Sequence, residues 1–168
     1  MRRVLLLVSA ILLPTVSRPA FGQDSATDSA AATAVLATID SFLAGLRVQD
    51  TARMARHTDS LTRMTLLRPG PSGTRVMLLT AAQFMAAVSR PGQPALDEPI
   101  RNPVVQIDGD LATVWAEYQV RIEGKVSHCG YDAFQLAKLG GAWKILNISD
   151  TFRRTGCGEP WSVGPAGK

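Results

Sequence analysis

Apolar positions recur along this chain with two different periods. From Ala31 to Val48 they fall at Val35, Ile39, Phe42, Leu43 and Leu46, the spacing of one helix face. Gln49-Asp50-Thr51 interrupts that face, and Asp50 or Thr51 can cap a short second helix through about His57. Residues 61–68 and 74–79 read as strands around the breaker-rich turn RPGPSG at 68–73. Thr80 then caps a helix over 81–88, and Pro91, Gly92, Pro94 and Pro99 make 90–99 a loop that can border a pocket mouth. Beyond residue 100 the period changes to two. Strands are expected at about 101–107, 111–122, 127–138 and 142–154, joined by turns at Asp108-Gly109, Gly124-Lys125 and Gly140-Gly141. Three consecutive hairpins make a meander that one helical layer can cover.

The turns set a register. A two-residue turn at Gly140-Gly141 places Lys138 opposite Trp143, Phe134 opposite Asn147 and Cys129 opposite Phe152. A two-residue turn at Gly124-Lys125 places Val120 opposite Cys129 and Trp115 opposite Phe134. One face then carries Trp115, Glu117, Gln119, His128, Asp132, Phe134, Leu136, Trp143, Ile145, Asn147 and Ser149. The other carries Val114, Ala116, Tyr118, Val120, Tyr131, Leu146, Ile148, Asp150 and Phe152. A slip of one residue would exchange the faces.

The N-terminus reads as an address. Arg2 and Arg3 precede an apolar run from Val4 to Leu13, Pro14 and Pro19 end it, and Ala20-Phe21-Gly22 is a small-x-small cleavage site. Residues 1–22 are therefore expected to be a signal peptide cleaved near Gly22, giving a periplasmic or secreted protein with no stable membrane insertion afterwards. Residues 23–31 read as a flexible lead-in, 32–158 as one domain and 159–168 as a flexible tail. The whole chain carries +4, but the leader holds three arginines and no acid, so the remainder has 15 basic and 14 acidic residues and a charge of +1. That balance gives no support for nucleic-acid binding. Cys129 and Cys157 are expected to form a disulfide, as paired cysteines of exported chains do, with the chain curling back through Gly156 and Gly158 to close it.

The first face mixes aromatic, carboxylate, amide and imidazole groups, the makings of a small-molecule pocket. Trp115, Glu117, Asp132, Phe134, Asn147 and Ser149 are the candidate ligand-binding residues. Glu117 and Asp132, as cross-strand neighbours, could share a proton, and with His128 they are the candidate catalytic groups. His57 is placed at a helix C-terminus, where it would cap the dipole. No metal-ligand spacing, phosphate loop or cofactor motif is present, so no metal and no cofactor is expected.

The stretches AVLATIDSFLAGLRVQDTARMARHTD and IDGDLATVWAEYQVRIEGKVSHCGYDAFQLAKLGGAWKILNISDT resemble the nuclear transport factor 2-like (NTF2-like) superfamily, in its SnoaL-like and lumazine-binding branches. The resemblance implies an α+β fold, a cone-shaped, strongly curved antiparallel sheet packed on N-terminal helices, with a pocket in the cone and frequent homodimerisation. The expected function is an exported, noncatalytic small-molecule-binding domain. An isomerase, dehydratase or cyclase using general acid–base chemistry is the alternative, and an envelope protein–protein interaction module is the third reading.

Overall fold

The computed structural model describes residues 25–161; the expected leader and residues 162–168 lie outside them. Helix α1 (Ser25–Arg47) runs into α2 (Thr51–Arg56), followed by β1 (Thr58–Gly70), β2 (Gly73–Thr80) and α3 (Ala81–Val88). Four strands close the fold: β3 (Ile100–Asp108), β4 (Leu111–Ile122), β5 (Lys125–Leu139) and β6 (Ala142–Asp150). The order of elements is the one expected. Helix α1 begins inside the segment read as a flexible lead-in; Ala30, Ala31 and Ala32 are strong helix formers and carry the helix outward from its core-facing part.

Local chemistry fixes the short helices. Asp50 caps α2 by accepting from the Arg53 amide at 2.9 Å. Thr80 and Gln83 form a reciprocal capping box at the start of α3. By length and composition the Ser29–Arg47 part of α1 would also suit a membrane. Its apolar stripe, however, is Val35, Ile39, Phe42, Leu43 and Leu46, all buried in the core against the sheet. Burying each such side chain contributes roughly 1.5–3 kcal/mol, which makes α1 the main lid on the sheet.

The sheet has the order β2-β1-β6-β5-β4-β3. All neighbours are antiparallel except β1 and β6, which pair parallel, so the sheet is mixed rather than purely antiparallel. Helices α1 and α3 cover one face, together with Val114, Ala116, Phe134, Leu136, Ile145 and Ile148 from the strands.

Two bulges overturn the expected register. The β4–β5 turn is Glu123-Gly124, not Gly124-Lys125; both residues have positive φ, 51° and 77°, as tight hairpin turns require. Ser127 is then left over, so Arg121 pairs with Val126 but Val120 with His128, and Trp115 faces Ala133 instead of Phe134. Lys138 does pair with Trp143 as expected. Leu146 is a second extra residue, so Phe134 meets Ile148 rather than Asn147, and Cys129 bridges to Arg153 rather than Phe152. Each bulge shifts the alternation of side chains by one.

The Cys129–Cys157 disulfide is present, with the Cα atoms 5.6 Å apart. The segment after β6 is therefore tied down. Gln119, 0 % exposed, donates from Nε2 to the carbonyls of Cys157 and Glu159 at 3.0 and 3.1 Å and accepts from the Trp161 amide at 3.0 Å. Arg121 donates to the Trp161 carbonyl at 2.5 Å, and Arg101 lies 4.0 Å over the Trp161 ring. Residues 159–161, expected to be part of a flexible tail, are thus anchored, because a buried amide must find partners.

Candidate functional site

The bulges decide which candidate residues meet. Even-numbered positions of β4 point inward, and Ser127 brings His128, Asp132 and Phe134 onto that same face. Trp115, Glu117, Asn147 and Ser149 point to the opposite, outer face. The expected single face is therefore split in two.

On the outer face Trp115 stacks on Tyr131 with ring centroids 5.2 Å apart. Glu117 is held by Arg101 at 2.7 Å and by Asn102 at 3.3 Å, and these two donors lower its pKa. Asn147 accepts from Thr65 at 3.2 Å and donates to Ser149 at 2.7 Å. Glu117 and Asp132 occupy opposite faces, so they share no proton.

The inner face lines a partly open cavity of about 130 Å³ between helices and sheet. Helix α1 supplies Phe42, Leu43 and Leu46, and α3 supplies Phe84. Strands bring Met64, Leu66, Val120 and Ile148 as apolar wall. The polar groups are Arg68 from β1, Glu98 from the loop before β3, Tyr118 from β4, His128 and Asp132 from β5, and Asp150 from β6. Asp132 and Asp150 are direct cross-strand partners.

These carboxyls are not equivalent. Asp150 takes a bidentate grip from Arg68, at 2.5 and 2.7 Å, and accepts from the Leu67 amide at 3.2 Å. Asp132 is 1 % exposed, and its Oδ2 meets no N–H or hydroxyl donor of the described residues. Burial, then the charges of Glu98 and Asp150, push the Asp132 pKa well above the carboxylate range. Glu98 faces Asp132 within hydrogen-bonding reach and is pushed up to about 7, first by burial and then by Asp150. A proton on Asp132 donated to Glu98 makes the two carboxyls compatible.

Two neighbours complete the wall. Tyr118 donates to the Thr151 carbonyl at 2.6 Å, and burial raises its pKa. His128 packs edge-on against Tyr118 and lies 4.5 Å from the Phe152 ring. Burial, followed by Arg68 and Arg154, lowers its pKa to about 4, so it is neutral at pH 7. His57 does end α2, but burial and the charges of Lys144, Arg56 and Arg53 lower its pKa; it caps as a neutral group, not as a cation against the dipole. No group of three His, Cys, Asp or Glu side chains is arranged as metal ligands among the described residues.

Of the sequence candidates, Asp132 and His128 line the cavity; Phe134 shares their face but not the cavity, and Glu98, Arg68 and Asp150 were not among the candidates grouped with them. Glu98 sits in a loop with no periodicity to reveal it, and Arg68 lies at a turn boundary. Asp150 was placed on the other face by the bulge-free register.

No family model and no curated protein matches the chain. Solved structures do. A protein of unknown function from Mycobacterium tuberculosis superposes with a TM-score of 0.66 at 14 % identity, covering 82 % of this chain and 79 % of its own. An NTF2-like protein from Cytophaga hutchinsonii gives 0.60 at 18 %, covering 71 % and 96 %. The association domain of CaMKII from C. elegans gives 0.59 at 18 %, covering 74 % and 98 %. The likeness is one of fold and is not specific to the SnoaL-like or lumazine-binding branch.

Proposed function

We propose that this chain, whose fold is NTF2-like, is an exported domain that binds a small, largely apolar molecule through one polar group at Asp132. The observation that carries this reading is the Asp132 carboxyl: wholly buried, hydrogen-bonded to Glu98 through one oxygen, with its Oδ2 short of a donor among the described residues, and set in the wall of a cavity. A buried carboxyl oxygen left without a donor costs about 1–3 kcal/mol, a cost that a ligand hydroxyl donating to it offsets. Size limits the occupant. The cavity of about 130 Å³ lies below the roughly 300–1,000 Å³ of drug-sized sites, so a single ring is a better match than a steroid. The disulfide supports an oxidising compartment.

Calorimetry with phenol and with toluene tests the reading. Phenol should bind about tenfold more tightly than toluene, the worth of one good hydrogen bond. Asp132→Leu should erase that preference. Equal affinities for the two probes, or no binding of phenol, would sink the proposal.

One observation favours catalysis as a second reading. The Glu98–Asp132 pair loses the second of its protons near neutral pH and keeps the other, which suits a general acid–base step. Turnover lost in Asp132→Asn with probe binding kept would support this reading; equal loss of both would refute it.

The outer sheet face, where Val104, Leu111 and Trp115 are 57, 53 and 49 % exposed, supports the homodimer that the family resemblance implies. Sedimentation should give a dimer that Trp115→Arg dissociates, and a monomeric native chain would refute it.

A further inference from the structure

A second concavity lies beside the cavity, outside the helix-covered core. It is an open groove of about 830 Å³ between the β1–β2 hairpin and the segment that follows β6. Arg68, Arg75, Arg153 and Arg154 line it, with Phe152 and Met77 as apolar surface. No carboxylate is among its lining residues. Arg68 is neutralised by Asp150. Arg75, Arg153 and Arg154 form no ion pair among the described residues, although the charge of Arg153 is felt by Glu117 on the outer face, so three positive charges converge on one groove with no carboxylate in contact with them.

Two of these guanidiniums are already positioned. Arg153 lies 6.0 Å from the Tyr131 ring centroid and Arg154 lies 5.6 Å from that of Phe152. Such cation–π contacts restrain long side chains while leaving their N–H forks free to bind. The Cys129–Cys157 bond and the Cys129–Arg153 backbone bridge fix the segment that carries them. Like charges held together on a fixed frame repel one another, and an anion relieves that repulsion.

We propose that this groove is a binding site for a small organic anion, a carboxylate or phosphate monoester with an aromatic or apolar body. The anionic head pairs with Arg153, Arg154 and Arg75, and the body lies on Phe152 and Met77. The size suits this: the groove falls in the roughly 300–1,000 Å³ range of small-molecule sites. The site does not depend on the inner cavity being occupied, although Arg68 borders both.

Calorimetry on the full mature chain with 1-naphthyl phosphate, 1-naphthalenemethanol and inorganic phosphate tests it. The phosphate ester should bind at least about tenfold more tightly than the neutral alcohol, and more tightly than inorganic phosphate. Its affinity should fall as salt rises. The double substitution Arg153→Gln with Arg154→Gln, and separately Arg75→Gln, should each weaken it about tenfold while the thermal midpoint stays unchanged. Equal binding of the alcohol, or an unaffected double variant, overturns the proposal. Inorganic phosphate binding as tightly as the ester overturns the apolar half of the site. Sedimentation with anionic phospholipid vesicles, without affinity for the soluble ester, overturns it in favour of a membrane surface.

Discussion

Burial is the main reason the Glu98 carboxyl titrates at about 7, and the negative charge of Asp150 adds to it. In the unfolded chain the same group titrates near 4.3. The folded state therefore holds a proton that the unfolded state has lost between those values, and stability falls as pH rises through that window. The contribution, fully present below about pH 4, is gone above about pH 7 and amounts to at most about 4 kcal/mol. Denaturant titrations between pH 4 and 8 should show this decline, and Glu98→Gln should flatten it. A wild-type profile that rises over the window would contradict the assignment. Asp132 argues in the same direction. Replacing it with leucine strips the buried Glu98 carboxyl of the proton donor beside it, so Asp132→Leu should destabilise the protein by about 1–3 kcal/mol at pH 8 while abolishing the phenol preference. An unchanged or higher stability would show that the Glu98–Asp132 bond contributes nothing. At this scale the sequence made Asp132 and His128 visible, since both lie in an alternating strand. It concealed Glu98, whose position depends on how a proline-rich loop folds back over the sheet.

Among the elements, β5 is the one on which most depends. It carries His128 and Asp132, begins the disulfide and contains the Ser127 bulge. The strands, helices and caps were legible because hydrophobic period and turn residues are local signals. Both bulges were not. An extra residue in a strand leaves no mark in composition, and only the pairing with a neighbour reveals it. Two uncounted residues, Ser127 and Leu146, were enough to separate Asp132 from Glu117 and unite it with Asp150. Gly130 belongs to the same strand and shows how tightly it is enclosed. A Cβ there would meet the Thr151 carbonyl oxygen at 2.2 Å and the Tyr118 ring at 2.7 Å. Gly130→Ala should cost about 2–3 kcal/mol, the upper part of the range for overpacking, and a thermal melt within a degree of wild type would refute that packing.

For the whole molecule, the disulfide closes a sequence separation of 28 residues. Chain-entropy arithmetic gives about 3.5 kcal/mol for such a loop. The double variant Cys129→Ser, Cys157→Ser should lose stability on that scale and still fold, since the apolar cluster between helices and sheet contains neither cysteine. Failure to fold would assign the bond a larger role. The parallel β1–β6 pairing has a related effect: it joins the first half of the chain to its last strand, so the sheet cannot close until synthesis has reached residue 150. The segment anchored by Gln119 comes later still.

That anchoring gives the disulfide a role in timing. The bond ties the strand bearing Asp132 to the segment bearing Arg153 and Arg154, which makes one wall of the groove contingent on oxidation. The reduced chain would own its cavity but not its rim. It would acquire anion affinity only once the bond has formed. Reductant added to loaded protein should therefore release 1-naphthyl phosphate before the melt of the core shifts to its reduced value; release that waits for global unfolding would show that the rim stands without its tether.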